Sequence, residues 1–198
     1  MRPLQPETLN DDLAAIVRGL SFFMFTLLLF ATAVFGGERE DVRIRAGLDL
    51  FPSLLAADME IENKKSRDGT LLLVLIYTTD REKAEELAGY LKRVDRIREL
   101  PIRVEISDDP SLEGFKDRSP AGIFLTQPVG YALDEILKFA RYKKIIVFSP
   151  FEGDVERGVP GGIHISDRLL PYLNVTALRS SDVQIKSFFL RVSMQYAE

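Results

Sequence analysis

The residues in this sequence that could support catalysis gather in one short segment. His164, the only histidine, is followed by Ser166 and Asp167, and these are the residue types of a hydrolytic triad. Residues so close on one strand seldom adopt the nucleophile–base–orienter geometry, and no G-x-S-x-G motif precedes the serine. We therefore interpret the segment as a polar strand face and predict no catalytic residue.

A glycine-rich stretch at residues 153–162 (GDVERGVPGG) could bind phosphate, as such loops do after some strands. It has neither G-x-G-x-x-G nor G-K-[ST], and Glu152, Asp154 and Glu156 outnumber Arg157, so its field would repel phosphate. Three interpretations stay open: a structural or partner-facing loop, which we favour, an anion site and a divalent-cation site. With one histidine and no cysteine, we predict no zinc site, redox centre or cofactor.

A partner-facing loop needs contact chemistry that a free surface can tolerate. Phe151 stands before an acidic segment that contains Glu152, Asp154, Glu156 and also Arg157. An apolar anchor with a polar rim can bind a partner without causing aggregation. We predict that Phe151 is an exposed anchor and that these five residues contact a partner protein.

Composition favours an ordinary globular domain. The chain has 198 residues, of which 46% are hydrophobic and 28% charged, enough for one or two domains with a substantial core. The net charge of −4 gives no basic surface for nucleic acid, so we predict no DNA or RNA partner. Stability must come from packing, because the absence of cysteine excludes disulfides.

The N-terminal segment has the character of an export signal. Residues 20–35 (LSFFMFTLLLFATAVF) are almost wholly apolar, and this run of 16 is shorter than the ~20 residues of a membrane-spanning helix. The run ends in small residues at 31–33, and two glycines follow at 36–37, which suits signal peptidase. We predict a signal at 1–37 and a periplasmic domain. Two alternatives stay open: an uncleaved anchor, which would hold the domain beside the inner membrane, and a true start further downstream.

Apolar patterns then predict alternating strands and helices. We expect a linker at 38–47, an amphipathic helix from residue 48, and a buried strand at 70–77 (TLLLVLIY). The elements predicted next are a helix at 81–98 capped by Asp80, strands at 101–106 and 121–126, a helix at 131–141 and a strand at 144–148. Strand, helix and strand in series imply parallel pairing through right-handed crossovers.

The C-terminal part has a different pattern. Residues 162–166 and 172–177 are predicted to form an antiparallel strand pair, and 185–196 a closing helix whose Phe188 or Phe189 is a second candidate anchor for a partner. The predicted fold class is α/β: a mixed, largely parallel sheet of five to six strands flanked by helices. A single domain is expected over residues 48–198.

Several short segments together resemble a known family. They are residues 120–127 (PAGIFLTQ), 145–150 (IIVFSP), 161–163 (GGI), 173–175 (LNV) and 184–192 (QIKSFFLRV). In this order they resemble the YfiR-like periplasmic family, with Leu173-Asn174 at the family's "I-N" position. The resemblance covers about residues 69–196. The family's frequent cysteines are absent here, and its glycine-rich passage is replaced by the acidic stretch 151–158.

The resemblance implies a periplasmic repressor that binds the outward-facing portion of a membrane diguanylate cyclase. We therefore predict an exported, non-enzymatic regulatory protein in cyclic-di-GMP signalling, whose partner is the outward-facing domain of an inner-membrane signalling protein. Whether it forms a homodimer is left open. The alternative is a periplasmic small-molecule-binding or envelope-assembly accessory protein without catalytic activity.

Overall fold

An eight-stranded, mostly parallel sheet forms the centre of the fold. The computed structural model describes residues 40–197, so the predicted signal at 1–37 lies outside the described residues. The helices are α1 (40–57), α2 (Arg81–Leu91), α3 (Leu133–Lys143), α4 (Val175–Ser180) and α5 (Ser187–Val192). The strands are β1 (Leu71–Ile76), β2 (Arg96–Ile97), β3 (Leu100–Ser107), β4 (Pro120–Leu125), β5 (Ile146–Ser149), β6 (Gly161–Ile165), β7 (Leu169–Asn174) and β8 (Met194–Tyr196).

The strand order β2-β3-β1-β4-β5-β6-β7-β8 explains where the helices lie. The chain moves from β1 through α2 to one side of the sheet, and from β4 through α3 to the other side. Because parallel crossovers are right-handed, opposite directions of travel place α2 and α3 on opposite faces. Alternate residues of β1 accordingly belong to two cores: Leu73 joins Leu87 of α2, and Val74 joins Ile136 of α3. The α/β fold class is confirmed.

The two edges of the sheet account for the difference in strand count. All six predicted strands are present, and the two additional ones, β2 and β8, have two and three residues. Strands this short carry too little alternation to be recognised from sequence. The predicted helix at 81–98 is wrong beyond Leu91, because a 3₁₀ turn at Lys92–Val94 follows and β2 then forms an antiparallel hairpin with β3.

Helix α1 corrects the predicted linker at 38–47. Residues from 40 onward are helical, and the compact unit of the chain begins at Val42. Ile44 and Leu48, four residues apart, are both buried in the core, so the apolar stripe of the helix starts earlier than expected. The charged residues at 38–45 obscure the helical periodicity around Ile44 in the sequence. Close packing of α1 on the sheet also requires Gly161, whose Cβ would lie 2.5 Å from Leu54 Cδ2.

The C-terminal region confirms the predicted antiparallel pair and corrects two boundaries. Strands β6 and β7 meet in register from Gly161–Leu173 to Ile165–Leu169. The strand predicted at 172–177 ends at Asn174, because this residue caps α4 and residues 175–177 are helical. The closing helix predicted at 185–196 is only the six-residue α5, because the chain then turns extended and adds β8 in parallel to β7. Among residues 40–197, no helix combines the length and the apolar character that a membrane span needs.

Candidate functional site

The loop between β5 and β6 borders a small pocket of about 200 Å³. It lies where β5 and β6 end, and β7 and β8 complete its wall. In sheets of this kind, binding sites commonly lie beyond the carboxyl ends of the strands. The lining side chains used below are Arg43, Phe151, Glu152, Glu156, His164, Tyr172 and Met194.

Pro150 creates the opening by ending the pairing of β5. The last paired residues of β5 and β6 are Ser149 and Gly162, and Pro150 has no backbone N–H with which to continue the ladder. Arg43 of α1 takes up the carbonyls left there: its Nε donates to Pro150 O at 2.6 Å and one Nη donates to Ile163 O at 3.0 Å. The N-terminal helix thereby fixes one side of the pocket.

Buried polar side chains hold the loop from beneath. Ser149 Oγ donates to Asp154 Oδ2 at 2.6 Å, and both residues are buried. Arg157 donates to Asp154 Oδ1 at 3.2 Å and to Gly130 O at 2.9 Å, which ties the loop to the chain before α3. Asn174 Nδ2 donates to Val155 O at 2.8 Å. These contacts position the loop from inside the molecule.

Tyr172 and Glu156 face each other at the pocket wall. The Tyr172 hydroxyl donates to Glu156 Oε1 at 3.0 Å. Burial, followed by this hydrogen bond, raises the pKa of the Tyr172 hydroxyl above its ordinary value, so the group stays protonated and donating at neutral pH. The ring of His164 packs edge-on against Tyr172, with 5.7 Å between centroids. The wall is therefore aromatic, with a carboxylate held at its rim.

Three of the predicted partner-contact residues come together at this pocket. Glu152 and Glu156 are exposed and line it, and Phe151 lines it as well. The prediction of an exposed Phe151 is wrong, because the ring is half-buried and packs against both cores. Phe151 is therefore part of the pocket floor and also of the fold.

The remaining predicted contact residues have other roles or positions. Asp154 is buried and does not form part of an acidic rim, because its carboxylate is needed by Ser149 and Arg157. The exposed Arg157 does not line the pocket and fastens the loop instead. Neither Phe188 nor Phe189 lines the pocket: Phe189 is a core residue at 6% exposure, and Phe188 is 54% exposed on α5.

The structure also shows where the residues of the triad and cation-site interpretations lie. Ser166 Oγ donates to Asp167 Oδ1 at 2.9 Å, while the ring of His164 lies against Tyr172, so this geometry does not join the three side chains into a relay. Within residues 40–197, no cluster of three or more histidine, aspartate or glutamate side chains could hold a metal ion.

Sequence reasoning missed the residues that arrive at the pocket from distant segments. Arg43 and Met194 come from the two ends of the domain, and no local pattern marks either of them. Asn174 did carry a signal, since it belongs to one of the five segments on which the family resemblance rests. It caps α4 by accepting from Ala177 N at 2.7 Å while its amide holds the loop, which requires a side chain with both an acceptor and a donor.

Comparisons with known proteins give distant structural neighbours among solved structures. No protein-family model matches the chain, and no curated protein matches it. The ABC domain in complex with L-Trp from Streptococcus pneumonia is 10% identical over 73% of this chain, with a TM-score of 0.45. A conserved domain protein from Vibrio cholerae O1 biovar eltor is 14% identical over 70% of this chain, with a TM-score of 0.49. The chain spans about 60% of each of these structures.

Proposed function

We propose that this chain is an exported regulatory binding protein, which engages the outward-facing domain of an inner-membrane signalling protein. The contact surface surrounds the pocket that Phe151 lines beside the β5–β6 loop, the Phe151 pocket. The observation that carries the proposal is the pocket itself. A loop singled out for its apolar and acidic residues lies over a cavity at the carboxyl ends of parallel strands. This surface combines a fixed concave shape with exposed charged groups.

The size of the pocket favours a protein partner over a free small molecule. Ligand sites for small molecules usually enclose about 300–1,000 Å³. A cavity of about 200 Å³ is smaller, and it suits one inserted side chain of a partner. Protein interfaces concentrate their binding energy in such pockets, each filled by a single anchor residue and surrounded by a polar rim.

The membrane side of the proposal rests on the sequence. The apolar run at 20–35 has the composition of an export signal or anchor; either form would place the domain in the periplasm, and an anchor would also hold it beside the inner membrane. The resemblance to the YfiR-like family adds the kind of partner, a membrane diguanylate cyclase held inactive. Regulation of cyclic-di-GMP output is accordingly the biological role that we propose.

The test places a photo-crosslinking amino acid at position 152 of the full chain in cells of the native host. Glu152 is exposed on the pocket rim, so the substitution should leave the fold intact. We expect an adduct with one inner-membrane protein that has a cyclase output domain, and a higher cyclic-di-GMP level after deletion of the gene.

The matched control carries the same crosslinker at Glu99, which is exposed in the turn between β2 and β3 and does not line the pocket. It should give no adduct with that membrane protein. A partner captured equally from both positions, an adduct only with cytoplasmic proteins, or an unchanged cyclic-di-GMP level would contradict the proposal.

A further inference from the structure

We infer that the Phe151 pocket accepts a cationic group, the ammonium of a lysine or the guanidinium of an arginine side chain presented by the partner. The inference rests on the proposed function and adds to it the chemistry of the residue that enters. It follows from which hydrogen-bonding groups of the pocket are already used, from the charges around it, and from its aromatic wall.

Part of the side-chain donor capacity at the pocket is already used. The Tyr172 hydroxyl donates its only proton to Glu156 at 3.0 Å. Arg43 donates through Nε and one Nη to the carbonyls of Pro150 and Ile163, at 2.6 and 3.0 Å. Further N–H groups of Arg43 and the ring of His164 stay available, so the preference for a cation rests on the carboxylate acceptors and on the net charge of the pocket.

The carboxylate acceptors of the pocket have capacity left. An ionised carboxylate offers two oxygens and about four lone-pair positions. Glu156 uses one oxygen to accept from Tyr172. Glu152 forms no hydrogen bond or ion pair with any other residue in 40–197. A ligand that donates several hydrogen bonds matches this inventory, and both ammonium and guanidinium are donors only.

The charges around the pocket point the same way. Glu152 and Glu156 stand against Arg43, whose guanidinium is turned to backbone carbonyls. The deeper carboxylate of Asp154 is already matched by Ser149 and Arg157. The local field therefore attracts a cation and repels an anion.

The rings supply the third component. Phe151, His164 and Tyr172 all line the cavity, and His164 packs edge-on against Tyr172. Aromatic faces attract ammonium and guanidinium groups and also bury the methylene stem of the side chain that carries them. An inserted lysine or arginine would thus place its stem against the rings and its head between the two glutamates.

The experiment uses the full chain labelled with carbon-13 at the methionine methyl groups, of which the sequence has four. Met194 lines the pocket, whereas Met59 is exposed at 53% and does not line it. N-acetyl-lysine methylamide and N-acetyl-arginine methylamide are titrated separately. We expect a saturable shift of the Met194 resonance with both probes and a constant Met59 resonance.

Two neutral probes of similar shape, N-acetyl-norleucine methylamide and N-acetyl-citrulline methylamide, serve as ligand controls, with N-acetyl-glutamate methylamide as the anionic one. The cations should bind more tightly than all three. Glu152→Gln and Glu156→Gln should each weaken cation binding about two- to fivefold, because exposed charge pairs have modest strength. Glu156→Gln keeps an oxygen that can accept from Tyr172. Glu99→Gln, outside the pocket, should leave binding unchanged.

Equal binding of neutral and cationic probes, preference for the glutamate probe, or a Met194 shift that survives the double variant E152Q/E156Q would overturn the inference. Its failure is distinguishable from that of the proposed function, because the titration contains no partner. Crosslinking without a preference for cationic probes would contradict only the inferred cation chemistry. A preference for cationic probes without a membrane adduct would contradict only the proposed regulatory partner.

Discussion

The centre of the sheet and its C-terminal edge are built in different ways. Every residue of β1 and β4 is buried, and in β1 all six are aliphatic. Around the pocket, β7 and β8 are only partly buried, and the side chains of Ser149, Asp154 and Asn174 are buried and hydrogen-bonded. The centre is stabilised by apolar packing, whereas the edge is shaped by polar contacts. Substitutions in the two regions should therefore have separable effects.

The largest effect is expected from Phe124→Ala in β4. Phe124 is fully buried and stacks on Phe148 at 5.6 Å between centroids, with Phe51 of α1 at the same distance. Removing the ring should lower the free energy of unfolding by about 3–5 kcal/mol, because the cavity adds to the lost transfer energy. Urea denaturation of the full chain measures it.

The control for this substitution is Phe188→Ala, which removes the same ring from a site that is 54% exposed. Its cost should stay near ~0.5 kcal/mol, as for most surface changes. Similar losses for the two variants would mean that the centre does not carry the stability we assign to it.

The same contrast explains what the sequence could predict. Runs such as residues 71–76 identify a central strand without any knowledge of its neighbours, because burial on both faces demands an unbroken apolar segment. The six longest strands, the antiparallel pair β6–β7 and the cap at Asp80 all followed from local patterns. Each depends only on side chains within a few residues of one another.

The pocket could be predicted only in part, for a physical reason. Its loop stood out by composition, and Phe151, Glu152 and Glu156 do lie together there. The contacts that give the pocket its shape join Arg43 to carbonyls 107 and 120 residues away, and no local pattern records such a pairing. Asp154 was wrongly placed among the exposed acidic residues. The sequence of an acidic loop does not distinguish an aspartate that faces solvent from one that binds a buried serine.

An intermediate effect is expected from Asp154→Ala. The change leaves the buried Ser149 hydroxyl without its acceptor and removes the contact of Arg157 with position 154, while the bond from Arg157 to Gly130 O stays. An unsatisfied buried polar group costs about 1–3 kcal/mol, so the free energy of unfolding should fall less than in Phe124→Ala. Hydrogen exchange of the amides at 152–158 should accelerate far more than exchange in β1.

Asp167→Ala is the matched control, since this aspartate is exposed and contacts only neighbouring Ser166 and Arg168 among the described residues. It should change neither stability nor exchange in the loop. Equal acceleration of exchange in β1 and in the loop of Asp154→Ala would show that the edge and the centre unfold as one unit, which would remove the contrast drawn above.

The smallest effect belongs to a pair on the other side of the sheet, where Glu105 of β3 meets Arg118. Arg118 Nη1 donates to Glu105 Oε2 at 2.7 Å, and Nη2 donates to the other carboxylate oxygen. These bonds, and the charge of Arg118 with that of Arg103, hold the pKa of the Glu105 carboxyl below its ordinary value despite partial burial.

The sign of the resulting pH dependence follows from the direction of that shift. A pKa lowered in the folded state gives stability that is fully present above the pKa of the unfolded chain and is lost as pH falls through the folded value. Because Glu105 and Arg118 are 32% and 37% exposed, solvent screening limits the contribution to under ~1 kcal/mol.

Glu105→Gln should remove this component. At pH values below the ordinary pKa of glutamate, the unfolding free energy of the variant should therefore decline less steeply than that of the native chain. Urea titrations at a series of acidic pH values measure the difference, and parallel declines in the two proteins would assign the acid sensitivity to other carboxylates, with no separate contribution from this edge.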